Sequence, residues 1–234
     1  MELTFASYNI RKAIGLDRKR DPERILAVLH ELGADVVAIQ ESDRRFGQRL
    51  AALPRQMLAE HHWQIAPVAL RPASIGWHGN AILVRKGIDI LEAEPLHLPT
   101  LEPRGAARVD LAKDGQRMRV VGMHLDLSGL RRRHQVSAVL GHLDACDGPC
   151  PTVMMGDFNE WSRKGGAFRE FGADWLITEP GRSYPARQPV ARLDRIVASR
   201  DWDMLETRVH HSALAARASD HLPVVARMRL DTLI

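Results

Sequence analysis

Cysteine is nearly absent: Cys146 and Cys150 are the only two in the chain, separated by Asp147-Gly148-Pro149 in a loop-like stretch. No second Cys/His pair at finger spacing follows, so a zinc-finger site and a disulfide-built scaffold are excluded. One local disulfide is the alternative to two ordinary reduced thiols, the reading adopted here. Aromatic residues make up 5% of the chain, and no basic and aromatic residues interleave as a track for single-stranded nucleic acid. No apolar run approaches the roughly 18 residues needed to span a bilayer as a helix. Residues Met1 to Phe5 enter a strand pattern at once, without the charged-then-apolar layout of an export signal. The chain is therefore expected to be soluble and cytoplasmic. No linker, charge block or low-complexity tract divides it, and a single domain over 1–234 is expected. Thirty-three Lys and Arg against 29 Asp and Glu give a net charge of +4, too small an excess to name a polyanionic partner. Nothing indicates an obligate protein partner.

What is present is a series of short apolar runs that end in polar side chains. Glu2 to Asn9 alternates as a first strand. Asp21-Pro22 opens a helix whose Ile25, Val28, Leu29 and Leu32 recur at helical spacing before Gly33 stops it. Val36 to Ile39 is continuously apolar, as in a strand buried on both faces, and gives way to Gln40-Glu41. Further strands are expected at 81–84, 88–91, 107–111, 118–124, 152–155, 193–198, 204–209 and 222–228, with a helix over 131–143. The 45% hydrophobic content suffices for a sizeable core. Strands outnumber helices, and hairpin-like links occur beside helical crossovers. Two packed sheets with helices outside are expected.

The polar ends of these runs carry the chemistry. A phosphate ester repels nucleophiles, so its hydrolysis needs charge neutralisation, an aimed water and a proton for the leaving oxygen. Carboxylate and amide oxygens hold Mg²⁺ or Mn²⁺, which supplies the first. Glu41, at a strand end, is the best candidate ligand, although such a Glu taken alone is commonly just solvent-facing. Asp157 and Asn159 stand two apart in Gly156-Asp157-Phe158-Asn159 and share a side of an extended backbone. They suit a water-directing acid and an oxyanion-binding amide; the plainer reading is a turn. Ser219-Asp220-His221 sets a carboxylate beside an imidazole, and Asp194, at the mouth of another strand, is a second acid able to orient that ring. His124 ends its strand with Asp126 two places on. Asn9 and Asn80 are each able to donate an amide to phosphate or to a metal-bound water.

Taken in order, Tyr8-Asn9-Ile10, Gln40-Glu41, Gly79-Asn80-Ala81-Ile82-Leu83, Gly122-Met123-His124-Leu125, Gly156-Asp157-Phe158-Asn159, Leu193-Asp194-Arg195-Ile196 and Ser219-Asp220-His221-Leu222-Pro223 resemble the endonuclease/exonuclease/phosphatase superfamily across residues 2 to 228. That family includes apurinic endonucleases, DNase I, inositol polyphosphate 5-phosphatases and sphingomyelinases. The resemblance implies a DNase I-like four-layer α/β sandwich, two mostly antiparallel or mixed sheets flanked by helices. It further implies Glu41 as the principal ligand of Mg²⁺ or Mn²⁺, with Asn9 and Asp220 around the same ion. Asp157 would activate or orient the attacking water, and Asn159 would steady the pentacovalent phosphorus. His221, held by Asp194, would contact the scissile phosphate or exchange a proton, while His124 and Asn80 would bind the phosphate. Arg11 stands where some nuclease branches carry a second acidic metal ligand, a departure that weakens transfer of a DNA-repair role.

The expected activity is metal-dependent phosphodiester hydrolysis, on a phospholipid-like or small phosphoester, with a DNA endo- or exonuclease as the alternative enzyme. A non-catalytic phosphate-binding module is the reading from another class, disfavoured because such a module needs no water-activating acid. Arg131-Arg132-Arg133 opens a helix, where cations oppose the dipole, and this hints at a phosphate-facing role beside the plainer one of a solvated basic patch. Trp77-His78 and Trp161 adjoin the motif blocks and suit packing of a base, a lipid or the core.

Overall fold

A computed structural model describes residues 1–44, 47–100, 104–146 and 148–230. Two six-stranded sheets pack face to face. The first contains β1 (Glu2–Asn9), β2 (Val36–Gln40), β3 (Trp63–Ile65), β4 (Ala81–Arg85), β11 (Trp202–Val209) and β12 (Val224–Leu230), in the order β11-β12-β1-β2-β4-β3. The second contains β5 (Asp89–Leu96), β6 (Gly105–Lys113), β7 (Gln116–His124), β8 (Thr152–Asp157), β9 (Trp175–Ile177) and β10 (Asp194–Ser199), in the order β5-β6-β7-β8-β10-β9. The helices are α1 (Pro22–Leu32), α2 (Arg55–Glu60), α3 (Gly129–Asp144) and α4 (Ala215–Ala218).

Both sheets repeat one plan. Each has a central parallel pair, β1 with β2 and β7 with β8, and every other pairing is antiparallel. A parallel pair needs a crossover, and α1 and α3 supply one on the outside of each sheet. Asp21 caps α1 by accepting from the Arg24 amide at 2.9 Å, Pro22 follows it, and Gly33 closes the helix at φ +59°. The carboxyl ends of β1, β2, β7 and β8 therefore all point to one end of the sandwich, as do the starts of their antiparallel neighbours β12, β4, β6 and β10. Every chemistry-bearing block singled out in the sequence lies at that end.

Apolar side chains divide into an inter-sheet layer and two outer layers under the helices. Phe5, Val36, Ile82, Val109, Val120, Met155 and Ile196 belong to the first. Ile25, Leu29 and Leu32 of α1 pack on the outside of the first sheet, and Val136 and Val139 of α3 on the outside of the second. Gly156 is imposed by close approach, since a Cβ there would lie 1.9 Å from the Met123 carbonyl oxygen on β7. That contact draws β7 and β8 together and fixes the spacing of His124 and Asp157 at their ends. The two thiols are free and half-buried. Strand 88–91 is longer than its apolar run suggests, ending at Leu96, because its outer face is half exposed and alternates weakly.

Two of the three arginines at the start of α3, Arg132 and Arg133, are engaged in ion pairs and do not form a phosphate-facing patch. The buried Arg132 guanidinium lies 3.3 Å from Glu160 and donates to the Leu127 carbonyl at 2.6 Å, while Arg133 pairs with Glu170 at 2.7 Å. Both cations are used to fasten the loop after β8 onto α3.

Candidate active site

Asp157 is the hub. Its carboxylate is buried at the end of β8, where Oδ1 accepts from the Asn159 amide at 3.0 Å and Oδ2 from Asn9 Nδ2 at 3.1 Å. Two imidazoles face the same Oδ2, His124 Nε2 at 3.3 Å and His221 Nε2 at 3.8 Å. The far side of the His221 ring is braced, with Nδ1 2.9 Å from Asp194 Oδ2, which also accepts from Ser183 Oγ at 2.5 Å. The expected meeting of Asp194 and His221 is thus present. Tyr184 adds a ring against His221, their centroids 4.8 Å apart.

The charges of this network follow from its geometry. Burial disfavours ionisation of Asp157, but His221 and His124 beside it outweigh burial and hold its carboxyl well below the ordinary range. Burial opposes charge on His221 too, yet Asp194 and Asp157 flank it and push its imidazole up to about 10. Asp194 is wholly buried, and burial raises its carboxyl against the pull of His221. At neutral pH the picture is an imidazolium between two acids.

Across the cleft, at the ends of β1 and β2, the two remaining acids meet basic side chains. Glu41 contacts the Lys12 ammonium, and Asp220 lies 3.5 Å from Arg11 Nε. Burial alone would raise the Glu41 carboxyl; Lys12 reverses the sign and lowers it. Arg11, Lys12 and Ala13 are three consecutive non-glycine residues at positive φ, and Glu41 itself has φ 54°. Backbone of this kind costs about 1 kcal/mol or more per residue and persists where surrounding contacts enforce it. Here Asn9 Oδ1 holds the Arg11 amide at 3.1 Å, and the Lys12 amide reaches the Glu41 carbonyl at 3.1 Å.

Two expected roles change in detail, those of Asn80 and Asn9. Asn80 cannot offer its amide hydrogens to phosphate, because Nδ2 donates to the Trp77 and Gly105 carbonyls at 3.2 and 3.1 Å. What it leaves over is the buried Oδ1, which has no hydrogen-bond partner. Both ends of the Asn9 carboxamide are likewise engaged, so Asn9 ties Asp157 to the basic turn. Asp126 accepts from the Ser128 amide at 2.9 Å. Asn159 spends one amide hydrogen on the Leu125 carbonyl at 2.9 Å and keeps the other. Sequence reading missed Lys12, Arg104, which contacts His124, and Ser183 and Tyr184 around His221.

Two groups of side chains could hold a hard divalent cation, one of them on the Glu41 side. Glu41 and Asp220 are oxygen donors facing cations already, and the unpartnered Asn80 Oδ1 belongs to the loop whose Gly79 packs on the Glu41 backbone, with a Cβ there only 3.5 Å from the Glu41 Cα. Asp157, Asp194 and His221 also bring ligand atoms within 4.8 Å of one another. In that second cluster His221 Nδ1 is already engaged, 2.9 Å from Asp194 Oδ2.

Comparison with known proteins identifies the family and the fold. The model of the endonuclease/exonuclease/phosphatase family matches residues 6–221. The uncharacterized protein YbhP of Escherichia coli strain K12 is 29% identical over 167 residues, which cover 66% of this chain and 64% of that protein. The match thus spans less than two thirds of that relative's length. Among solved structures, TDP2 of D. rerio complexed with a single-strand DNA product superposes with a TM-score of 0.75 at 17% identity, covering 97% of this chain and 99% of the other. The mannosyl-6-phosphatase Bt3783 of Bacteroides thetaiotaomicron gives 0.74 at 18% identity, covering 97% and 100%. At these identities the structures establish a shared fold.

Proposed function

Because this chain belongs to the endonuclease/exonuclease/phosphatase family of phosphoester hydrolases, we propose that it is a Mg²⁺- or Mn²⁺-dependent phosphodiesterase acting on a phospholipid-like or small phosphoester. The observation that carries the reading is the ionised, buried Asp157 carboxylate held by Asn9 and Asn159 and faced by two imidazoles, one of them braced by Asp194. A phosphate-binding module has no use for an anion at the centre of its anion site, whereas a hydrolase needs one to aim water.

Glu41 and Asp220 would hold the metal. When bound, the metal supplies Lewis-acid neutralisation of the phosphate oxygens. The remaining work falls to the chain's own side chains. Asp157 accepts a hydrogen bond from the attacking water and so turns the water's lone pair toward phosphorus; as the new P–O bond forms, the bond to the ester oxygen breaks, and the proton the water loses passes through solvent to the leaving oxygen. The lowered pKa of Asp157 suits it to orient that water. The free amide hydrogen of Asn159 meets charge growing on an equatorial oxygen. His221, a fixed imidazolium, donates Nε2–H to a phosphate oxygen, and Asp194 keeps the ring in place and its charge compensated. Lys12 and Arg11, paired with Glu41 and Asp220, are the cations that would meet substrate phosphate at this side of the cleft.

A nuclease of the same family is the second reading, favoured by the likeness to a protein whose structure holds a single-strand DNA product and by the exposed Trp161 beside Asn159 and Glu160. One panel separates the two. Purified protein with Mn²⁺ is offered bis-p-nitrophenyl phosphate, phospholipid, plasmid DNA and an abasic duplex. The first reading expects ester or lipid cleavage to exceed DNA nicking; the reverse order selects the nuclease, and no hydrolysis of any of them rejects both.

A further inference from the structure

Exposed apolar surface on this molecule is gathered at the catalytic end. Leu70, Leu127, Leu130 and Trp161 are each 64% exposed. Of the large hydrophobic side chains exposed among the described residues, only Leu91 and Leu205 lie elsewhere, on the edge strands β5 and β11. The others stand on loops at the ends of the catalytic strands or in the first turn of α3. Single surface leucines are ordinary, but a concentration of them around one reaction centre marks a contact surface.

Three of these side chains are tied directly to the site. The Arg132 guanidinium donates to the Leu127 carbonyl at 2.6 Å and to Glu160, the residue before Trp161, at 3.3 Å. Asn159 Nδ2 reaches the Leu125 carbonyl at 2.9 Å. The loop after His124 and the loop after Asp157 are thus one fastened unit, and it presents Leu127, Leu130 and Trp161 outward. Cations stand at the same end, Arg44 and Arg71 on loops of the first sheet, Arg131 in the first turn of α3 and Lys164 on a loop of the second sheet. Arg44, Arg71 and Lys164 are exposed and Arg131 is half-buried, and none of the four makes an ion pair among the described residues. Leucine offers no π-face to a nucleobase, so a nucleic acid would use Trp161 alone, whereas an acyl-chain boundary takes all of the apolar side chains at once.

We propose that the catalytic end is a docking surface for an anionic phospholipid bilayer. Leu127, Leu130 and Trp161 enter the boundary between headgroups and acyl chains, and Arg44, Arg71, Arg131 and Lys164 face lipid phosphates. This deepens, and rests on, the phosphoesterase reading: seated so, the molecule presents Asp157 and His221 to headgroup phosphodiesters.

The test is co-sedimentation with phosphatidylcholine vesicles and with phosphatidylcholine–phosphatidylglycerol vesicles, together with tryptophan fluorescence. The protein is expected to bind the mixed vesicles, more weakly as salt rises, with a blue shift that Trp161→Phe abolishes. Leu127→Ser/Leu130→Ser/Trp161→Ser is expected to lose about tenfold or more in vesicle affinity, a change of about 1.4 kcal/mol, while its thermal midpoint stays with the wild type. Leu91→Ser/Leu205→Ser on the edge strands is expected to bind like the wild type. No binding to mixed vesicles, undiminished binding by the triple variant, equal loss in the edge-strand variant, or binding to a dT oligonucleotide in preference to vesicles would each overturn the proposal. Hydrolysis of soluble bis-p-nitrophenyl phosphate in parallel tells a failed docking surface from a failed phosphoesterase assignment.

Discussion

The bond between Asp194 and His221 is the most exposed part of the mechanism, because the two side chains come from different strands and have one stated purpose together. Unit charges 2.9 Å apart attract by about 6 kcal/mol at an effective dielectric of about 20. Desolvation of both groups has already been incurred on folding, and about half of that attraction, about 3 kcal/mol, is expected to appear in the transition state as a held and charged imidazole. Asp194→Asn should then slow turnover by about 10². His221→Asn removes the cation as well as its brace and should cost about 10³. Once His221 is gone, Asp194 has nothing to orient, so the double variant should match His221→Asn within about threefold. The assay is Mn²⁺-supported hydrolysis of bis-p-nitrophenyl phosphate by the four proteins, each checked for an unchanged unfolding midpoint. Losses that multiply to about 10⁵ would refute the pairing and leave Asp194 a structural acid at the start of β10.

Three other outcomes follow from particular contacts. Glu41→Ala should abolish Mn²⁺ binding by calorimetry and remove several kcal/mol of transition-state stabilisation with little change in the fold, since the side chain is only partly buried against Lys12; retained Mn²⁺ affinity would remove Glu41 from the metal site. Asn80→Asp would turn a carboxylate oxygen toward the Trp77 and Gly105 carbonyls, and urea unfolding should register a loss of about 2 kcal/mol; an unchanged midpoint would mean that the amide nitrogen points into the cleft after all. Arg132→Ala leaves buried Glu160 unpaired and should destabilise by about 3 kcal/mol, with KM for the soluble ester within about twofold of wild type; a large rise in KM with unchanged stability would restore the phosphate-facing role its sequence position suggested.

The fold was legible because its central strands are alternating or continuous apolar runs and each ends in an acid, amide or imidazole. That pattern placed Asn9, Glu41, His124, Asp157, Asp194 and His221 at strand ends without reference to which strands pair. The short edge strands β3 and β9 escaped notice, since three residues are too few for a period to register. The left-handed turn at Arg11–Ala13 carries no glycine to announce it and is imposed by Asn9 and Glu41. Ser183 and Tyr184 sit in a loop without periodicity, and their contacts with Asp194 and His221 exist only after folding. The direction of an amide is likewise a matter of neighbours: the carbonyls of Trp77 and of Gly105 at the start of β6 take the amide hydrogens of Asn80 and leave its Oδ1 over.

The central claim is that these strand-end groups run a metal-dependent attack of water on phosphorus, aimed by Asp157. Its most direct test is the initial rate of bis-p-nitrophenyl phosphate hydrolysis by metal-stripped protein before and after Mn²⁺ is returned, wild type against Asp157→Asn. Turnover is expected only with Mn²⁺, and the variant should be slower by about 10² or more with KM within about threefold. Hydrolysis that proceeds without divalent metal, or an Asp157→Asn protein that turns over at the wild-type rate, would contradict the account.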